Sequence, residues 1–169
     1  MKIQIAGIVN DSIVDGPGFR LAVFAQGCPH HCLGCHNPQT HDPHGGMGAD
    51  TVDIIDKMRK NSLLDGVTLT GGEPFSQPEA CLEIAKAAHA AGLNVWSYTG
   101  YTFETLLKEG TQSQQSLLRE VDVLVDGPFL LQRRTLNCPF RGSDNQRLIQ
   151  VQSSLEAGKA IEFDLSYGR

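Results

Sequence analysis

Apolar residues along this chain fall into short blocks separated by glycine-rich or polar punctuation, and two periods alternate. FRLAVFAQ at Phe19–Gln26 is a run of apolar, β-branched and aromatic residues, the pattern of a buried strand. Asp50 is placed to cap a helix reaching about Asn61, with Asp53 near its positive end and Val52, Ile55 and Met58 on one face. GVTLT at Gly66–Thr70 predicts a second strand, and GGEP follows at once. Gln77–Ala91 predicts a helix that buries Cys81, Ile84, Ala85, Ala88 and Ala91 and is stopped by Gly92. NVWSY at Asn94–Tyr98 predicts a third strand, Thr102–Lys108 and Gln114–Glu120 two weaker helices, VDVLVD at Val121–Asp126 a fourth strand and Arg147–Val151 a last one. Glu109–Gln115 reads as a polar surface loop, and the tail from Ser153 to Arg169 carries no decisive pattern.

Strands alternating with helices predict βα units and a mostly parallel sheet of about five strands. The 169 residues suffice for a single domain, 1–169, with a real core. They are too few for a closed eight-unit barrel of ~250 residues. The expected fold is therefore α/β, an open partial (β/α) barrel. Ligands of such sheets sit at the carboxyl ends of the strands. Four unusual segments fall on that predicted rim: GCPHHCLGCHNP, GGEP, TGY and DGPF.

A net charge of −5 gives no basic surface for nucleic acid. The start, MKIQIAGIVNDSIVDGPGF, lacks the ordered regions of a signal peptide, and no apolar run approaches the ~20 residues that span a bilayer. The expectation is a cytoplasmic chain that uses neither membrane nor nucleic acid. In a reducing compartment clustered cysteines point to metal or catalysis rather than disulfides. Three of the five cysteines, Cys28, Cys32 and Cys35, lie within eight residues. Thiolates are the usual ligands of iron–sulfur clusters. Three cysteines on a four-iron cluster leave one iron open to the amino and carboxylate groups of an amino acid. The same loop also suits structural zinc, with His30, His31 or His36 completing a Cys₃His set. The loop by itself leaves both open, and His30 and His31 also read as solvated loop residues.

Cysteines at x₃ and x₂ spacing after a first strand, with GGEP (Gly71, Gly72, Glu73, Pro74) after a second, resemble the radical S-adenosylmethionine superfamily. Gly34 stands where many members carry an aromatic residue before the third cysteine, which is similar to the short branch that activates anaerobic ribonucleoside-triphosphate reductase. VDGPGFR, VWSYTGY, VLVDGPF and FRGSDNQ resemble further segments of glycyl-radical activators in the same order, so the likeness runs from about Val14 to Ile149.

That resemblance implies a 4Fe-4S cluster on Cys28, Cys32 and Cys35. S-adenosylmethionine would bind its open iron and be cleaved by one electron from a reduced donor protein. The resulting 5′-deoxyadenosyl radical would take hydrogen from a glycine of the partner reductase. It also implies that Gly34, Cys35 and His36 flank the cofactor and that Gly71 and Gly72 face its methionine part. Asp126, at a strand end, is a candidate for a polar contact to the cofactor, or equally a cap on the turn that follows. Thr99 and Gly100 share that ambiguity. Asp15 and Arg20 are candidates for meeting the partner's glycine loop. Arg141, Ser143, Asn145 and Gln146 form a polar cluster touching cofactor or partner. Trp96 and Cys81 read as core, and Cys138 has no assigned role. Two other functions compete: activation of a different glycyl-radical enzyme such as pyruvate formate-lyase, and a zinc-ordered binding module with no enzymatic activity.

Overall fold

The computed structural model describes residues 1–168, and among these seven strands form one mixed sheet. The strands are β1 (Lys2–Ser12), β2 (Arg20–Ala25), β3 (Met47–Asp50), β4 (Gly66–Gly71), β5 (Asn94–Tyr98), β6 (Val123–Asp126) and β7 (Arg147–Gln150). Their order across the sheet is β3-β1-β2-β4-β5-β6-β7. The helices are α1 (Thr51–Lys60), α2 (Pro78–Ala90), α3 (Phe103–Glu109), α4 (Gln112–Arg119) and α5 (Val151–Ala157).

The expectation of a mostly parallel, five-stranded open barrel is corrected. Only the β2-β4-β5-β6 block is parallel; β1 pairs antiparallel with both β2 and β3, and β7 pairs antiparallel with β6. The physical reason lies in the connections. A parallel neighbour needs a crossover of a dozen or more residues, usually helical. Only seven residues, 13–19, join β1 to β2, and the longer 127–146 connection holds no α-helix.

The two faces of the sheet bury different cores, as the period of two requires. Leu21, Val23, Val67, Leu69, Val95, Leu124 and Ile149 meet the helices in the larger one. Trp96, Val123, Val125 and Leu148 form a smaller core on the other face, joined by Tyr98, Phe140 and Phe163. Trp96 is thus core, as expected. The tail closes this second core: the Phe163 N–H donates to the Leu148 carbonyl at 2.7 Å, and its ring meets Trp96 edge-on. In α1 the buried stripe is Thr51, Ile54, Ile55 and Met58, with Val52 exposed, so the expected face is rotated by part of a turn. Asp50 caps this helix by accepting the Val52 N–H.

Arg20 opens β2 and is fully buried. Its Nε donates to Thr68 Oγ1 at 2.6 Å, and Nη2 donates to the Val67 carbonyl and Asn94 Oδ1, both at 2.8 Å. The guanidinium also lies over Trp96, 5.5 Å from the ring centroid. Burial pulls its pKa down to about 10, which still leaves it charged near neutrality. Arg20 is therefore a brace under the 13–19 loop rather than a group free to meet a partner.

At the carboxyl ends of the parallel strands, the loops are tied together by Glu73, which is fully buried. Oε2 faces His30 Nε2 at 2.6 Å and accepts from Thr99 Oγ1 at 3.0 Å and the Gly100 N–H at 2.9 Å; Oε1 accepts the Phe75 N–H at 3.0 Å. One carboxylate thus joins the loops after β2, β4 and β5.

Two stability experiments follow. Glu73→Ala strands three buried donors, each such loss costing ~1–3 kcal/mol, so denaturant unfolding should show a loss of about 3 kcal/mol or more. Glu73→Gln keeps an acceptor oxygen and should lose less; an alanine variant as stable as wild type would contradict the tie. At the opposite end of the sheet, His89 bonds Glu120 through Nδ1 at 3.1 Å and Asp122 through Nε2 at 2.9 Å. Burial works to lower the His89 pKa, but the bonds and charges of Asp122 and Glu120 outweigh it and hold the pKa above the ordinary histidine value. A raised folded pKa contributes stability below the unfolded value of ~6.5 and loses it as pH climbs through the folded value. Urea midpoints should therefore favour wild type over His89→Gln at pH 6 and converge by pH 8 to 9.

Candidate functional site

The loop after β2 is closed at its neck by main-chain bonds. The Gly27 N–H donates to the Thr40 carbonyl at 2.8 Å and the Cys28 N–H to that of His41 at 3.2 Å. This holds Cys28, Cys32 and Cys35 on one short ring of chain. All three thiols are free and half-buried, and all three line one cavity of about 490 Å³. The size falls within the ~300–1,000 Å³ of small-molecule sites. Burial pushes the Cys28 thiol above its usual pKa, partly offset by the N–H groups of His30 and His31. The Asn37 N–H points to Cys35 Sγ at 3.4 Å.

Gly71 and Gly72 reach the same cavity because neither position tolerates a side chain. Gly71 has φ +90°, and a Cβ there would stand 2.7 Å from Phe24 Cα. A Cβ on Gly72 would lie 2.5 Å from the Gly27 carbonyl oxygen. The GGEP turn therefore packs backbone to backbone against the cysteine loop, and the Glu73 N–H donates to the same Gly27 carbonyl at 2.8 Å.

Residues 127–146 form a flap over the cavity. A bridge between Arg134 and Ser143 folds it back on itself. Gln146 Oε1 accepts the Gly142 N–H at 2.9 Å and the Ser143 N–H at 3.2 Å, while its Nε2 donates to the Gly127 carbonyl at 3.1 Å. Asn145 Nδ2 donates to the Pro128 carbonyl at 2.8 Å. The Tyr98 hydroxyl holds the Phe140 carbonyl at 2.7 Å. The polar cluster at 141–146 is thus chiefly a staple for the flap, although Arg141, Gly142 and Gln146 also reach the cavity.

The flap sits directly on the cysteine loop. Gly34 has φ +74°, and a Cβ there would lie 2.8 Å from Leu131 Cδ1. His36 pairs with Phe129, ring centroids 5.2 Å apart. The structure therefore gathers Cys28, Cys32, Cys35, His36, Gly71 and Gly72 on one cavity wall, with Thr99, Gly100 and Asp15. Gly34 lies between two of these residues, under Leu131.

Asp126 is placed differently. It is buried, and its carboxylate accepts Arg147 Nε at 3.0 Å and the Phe103 N–H at 2.8 Å. It takes up the first N–H of α3, whose N-cap is Thr102, and anchors Arg147, which also grips Glu104. The neighbouring Gly127, not Asp126, lines the cavity. Cys81 is buried in α2, its thiol pushed up to about 12 by burial, as packing requires. Cys138 is half-buried on the flap and is not part of the cavity wall.

Sequence reasoning passed over Phe24, Thr70, Phe129 and Phe140, which line the cavity, and Glu73, which fixes its loops. The period of two was the available signal for Phe24, Thr70 and Tyr98, which stand at alternate, inward positions of their strands. His30 read as a solvated residue; the structure instead holds it against Glu73 and edge-on to Tyr101 at 4.5 Å.

The family model for a 4Fe-4S single cluster domain matches residues 14–149. Among relatives, the anaerobic ribonucleoside-triphosphate reductase-activating protein of Enterobacteria phage T4 is 36% identical over 142 residues, covering 80% of this chain and 86% of the phage protein. The protein of the same name from Vibrio cholerae serotype O1 is 35% identical, covering 79% of this chain and 89% of its own length. The Escherichia coli K12 protein of that name is 32% identical, covering 79% and 90%. With the three cysteines, GGEP and the flap all inside the matched span, this chain belongs to the family of anaerobic ribonucleoside-triphosphate reductase-activating proteins, built on a 4Fe-4S single cluster domain.

Proposed function

We propose that this chain activates an anaerobic ribonucleoside-triphosphate reductase, with Cys28, Cys32 and Cys35 holding the 4Fe-4S cluster and the adjoining cavity holding S-adenosylmethionine. The observation that carries this reading is that three free thiols and the side-chain-free backbone of Gly71 and Gly72 share one cavity. The donor chemistry fits. Iron–sulfur clusters are held by cysteine thiolates, and Cys28, Cys32 and Cys35 would serve three of the four irons and leave one open.

When bound, the cluster and S-adenosylmethionine supply one-electron cleavage of a sulfonium carbon–sulfur bond, and with it a radical able to take hydrogen from a glycine Cα of the reductase. The chain's own residues position and exclude. Gly71 and Gly72 let the backbone approach the methionine part, and Gly34, Cys35 and His36 flank the cofactor. Asp126 acts one step back: held by Arg147, it fixes the strand end from which Gly127 meets the cavity. The flap keeps bulk water from the interior. The reductase segment enters past Val14, Leu136 and Arg141 at the mouth, and a reduced donor protein supplies the electron. Among the described residues no helix is long and apolar enough to cross a membrane. Free thiols suit a reducing compartment, and the cytoplasm is the proposed location.

Anaerobic reconstitution tests the ligand set. Wild type should hold ~4 iron and ~4 sulfide per chain. Cys28→Ala, Cys32→Ala and Cys35→Ala should each lose most of both, while Cys81→Ala and Cys138→Ala retain them. Equal loss in Cys138→Ala would contradict the assignment. With S-adenosylmethionine and a strong reductant, the loaded wild type should release methionine; intact S-adenosylmethionine after hours would contradict the proposed chemistry.

A further inference from the structure

The cavity wall carries both polar and aromatic groups: Thr70, Gly71, Gly72 and Thr99 offer hydroxyls and main chain, and Phe24, Tyr98, Phe129 and Phe140 offer rings. S-adenosylmethionine has a charged amino-acid end and a flat purine. Phe129 is half-buried and presents its ring to the cavity beside His36, next to the third cysteine. The flap also holds it closely: a Cβ on Gly142, which lines the same cavity, would stand 3.0 Å from Phe129 Cδ2 and 3.5 Å from His36 Cε1.

We propose that Phe129 is the wall on which the purine of S-adenosylmethionine packs, supplied by the flap after β6 rather than by the cysteine loop. This rests on the reading of the cavity as the S-adenosylmethionine site. At position 34 the φ of +74° is one that side-chain-bearing residues rarely adopt, and Leu131 of the same flap lies over it. That flap also brings Phe129 to the cavity. Stacking of a base on an aromatic ring is worth enough to change affinity about tenfold. Phe129 thereby sets affinity for the adenosyl group and has no part in holding iron.

Equilibrium dialysis of the anaerobically reconstituted full chain, using S-adenosylmethionine and free methionine as separate probes, tests this. Phe129→Ala should weaken S-adenosylmethionine binding about tenfold, leave methionine binding unchanged, and keep the wild-type iron and sulfide content. Phe129→Trp, which retains an aromatic face, should stay within a few-fold of wild type. Gly142→Ala, which displaces the ring without removing it, should weaken S-adenosylmethionine selectively. Undiminished S-adenosylmethionine affinity in Phe129→Ala, or an equal loss for both probes, would overturn the inference alone. Failure of the loaded wild type to bind S-adenosylmethionine would overturn the reading beneath it as well.

Discussion

The interaction on which the site depends is a buried carboxylate. Glu73 is closed off from water, and a charge in that position is costly unless its lone pairs are taken up. Its partners come from three separate loops: His30 beside the cysteines, Phe75 at the start of its own 3-10 turn, and Thr99 with Gly100 after β5. Since an unsatisfied member would be expensive, the arrangement is self-consistent. Moving the cysteine loop away would strip a partner from Glu73, and moving the β5 loop would strip two. The ring of chain bearing three thiols is thereby fixed relative to the backbone of Gly71 and Gly72.

A second layer of polar contacts places the flap over that cavity. Gln146 and Asn145 bind main chain within and beneath the flap, and Asp126 with Arg147 secures the strands from which it leaves and to which it returns. None of these groups needs to touch a ligand to matter. Their effect is to hold Phe129 against His36 and Leu131 against Gly34, which sets the shape of the space next to Cys35. For the proposed radical chemistry, a flap with such an internal staple would also limit water and side reactions.

Much of this was legible in the sequence, for physical reasons that can be named. The four parallel strands are apolar runs bounded by glycine, and their carboxyl-end loops carried the chemistry. Of the antiparallel strands, β1 and β3 were not legible, and β7 was read as a strand without its direction. β1 buries only Ile3 and Ile5 on a clear alternation before bulges break its register with β2. β3 is four residues, MGAD, with no buried side chain, and it exists because β1 offers an edge. For β7 a clue was present: 127–146 shows no helical periodicity, and a parallel return needs a crossover. The role of Asp126 was hidden because its partner Arg147 lies 21 residues away on a neighbouring strand, a pairing no local pattern reveals. Arg20 illustrates the opposite error: it read as a group that could meet a partner, while here the side chain is buried and donates to Thr68, the Val67 carbonyl and Asn94.

Gly34 gains meaning once the flap is seen: its φ of +74° suits glycine, and Leu131 of the flap lies over it. The account as a whole stands on the claim that this cavity makes a radical for a reductase. The most direct test mixes the anaerobically loaded chain with S-adenosylmethionine, a reductant and an anaerobic ribonucleoside-triphosphate reductase, and reads the mixture by electron paramagnetic resonance. The account predicts a glycyl-radical doublet on the reductase, absent when Cys35 is replaced by alanine. A cluster-loaded, S-adenosylmethionine-binding wild type that leaves the reductase without that signal would contradict it.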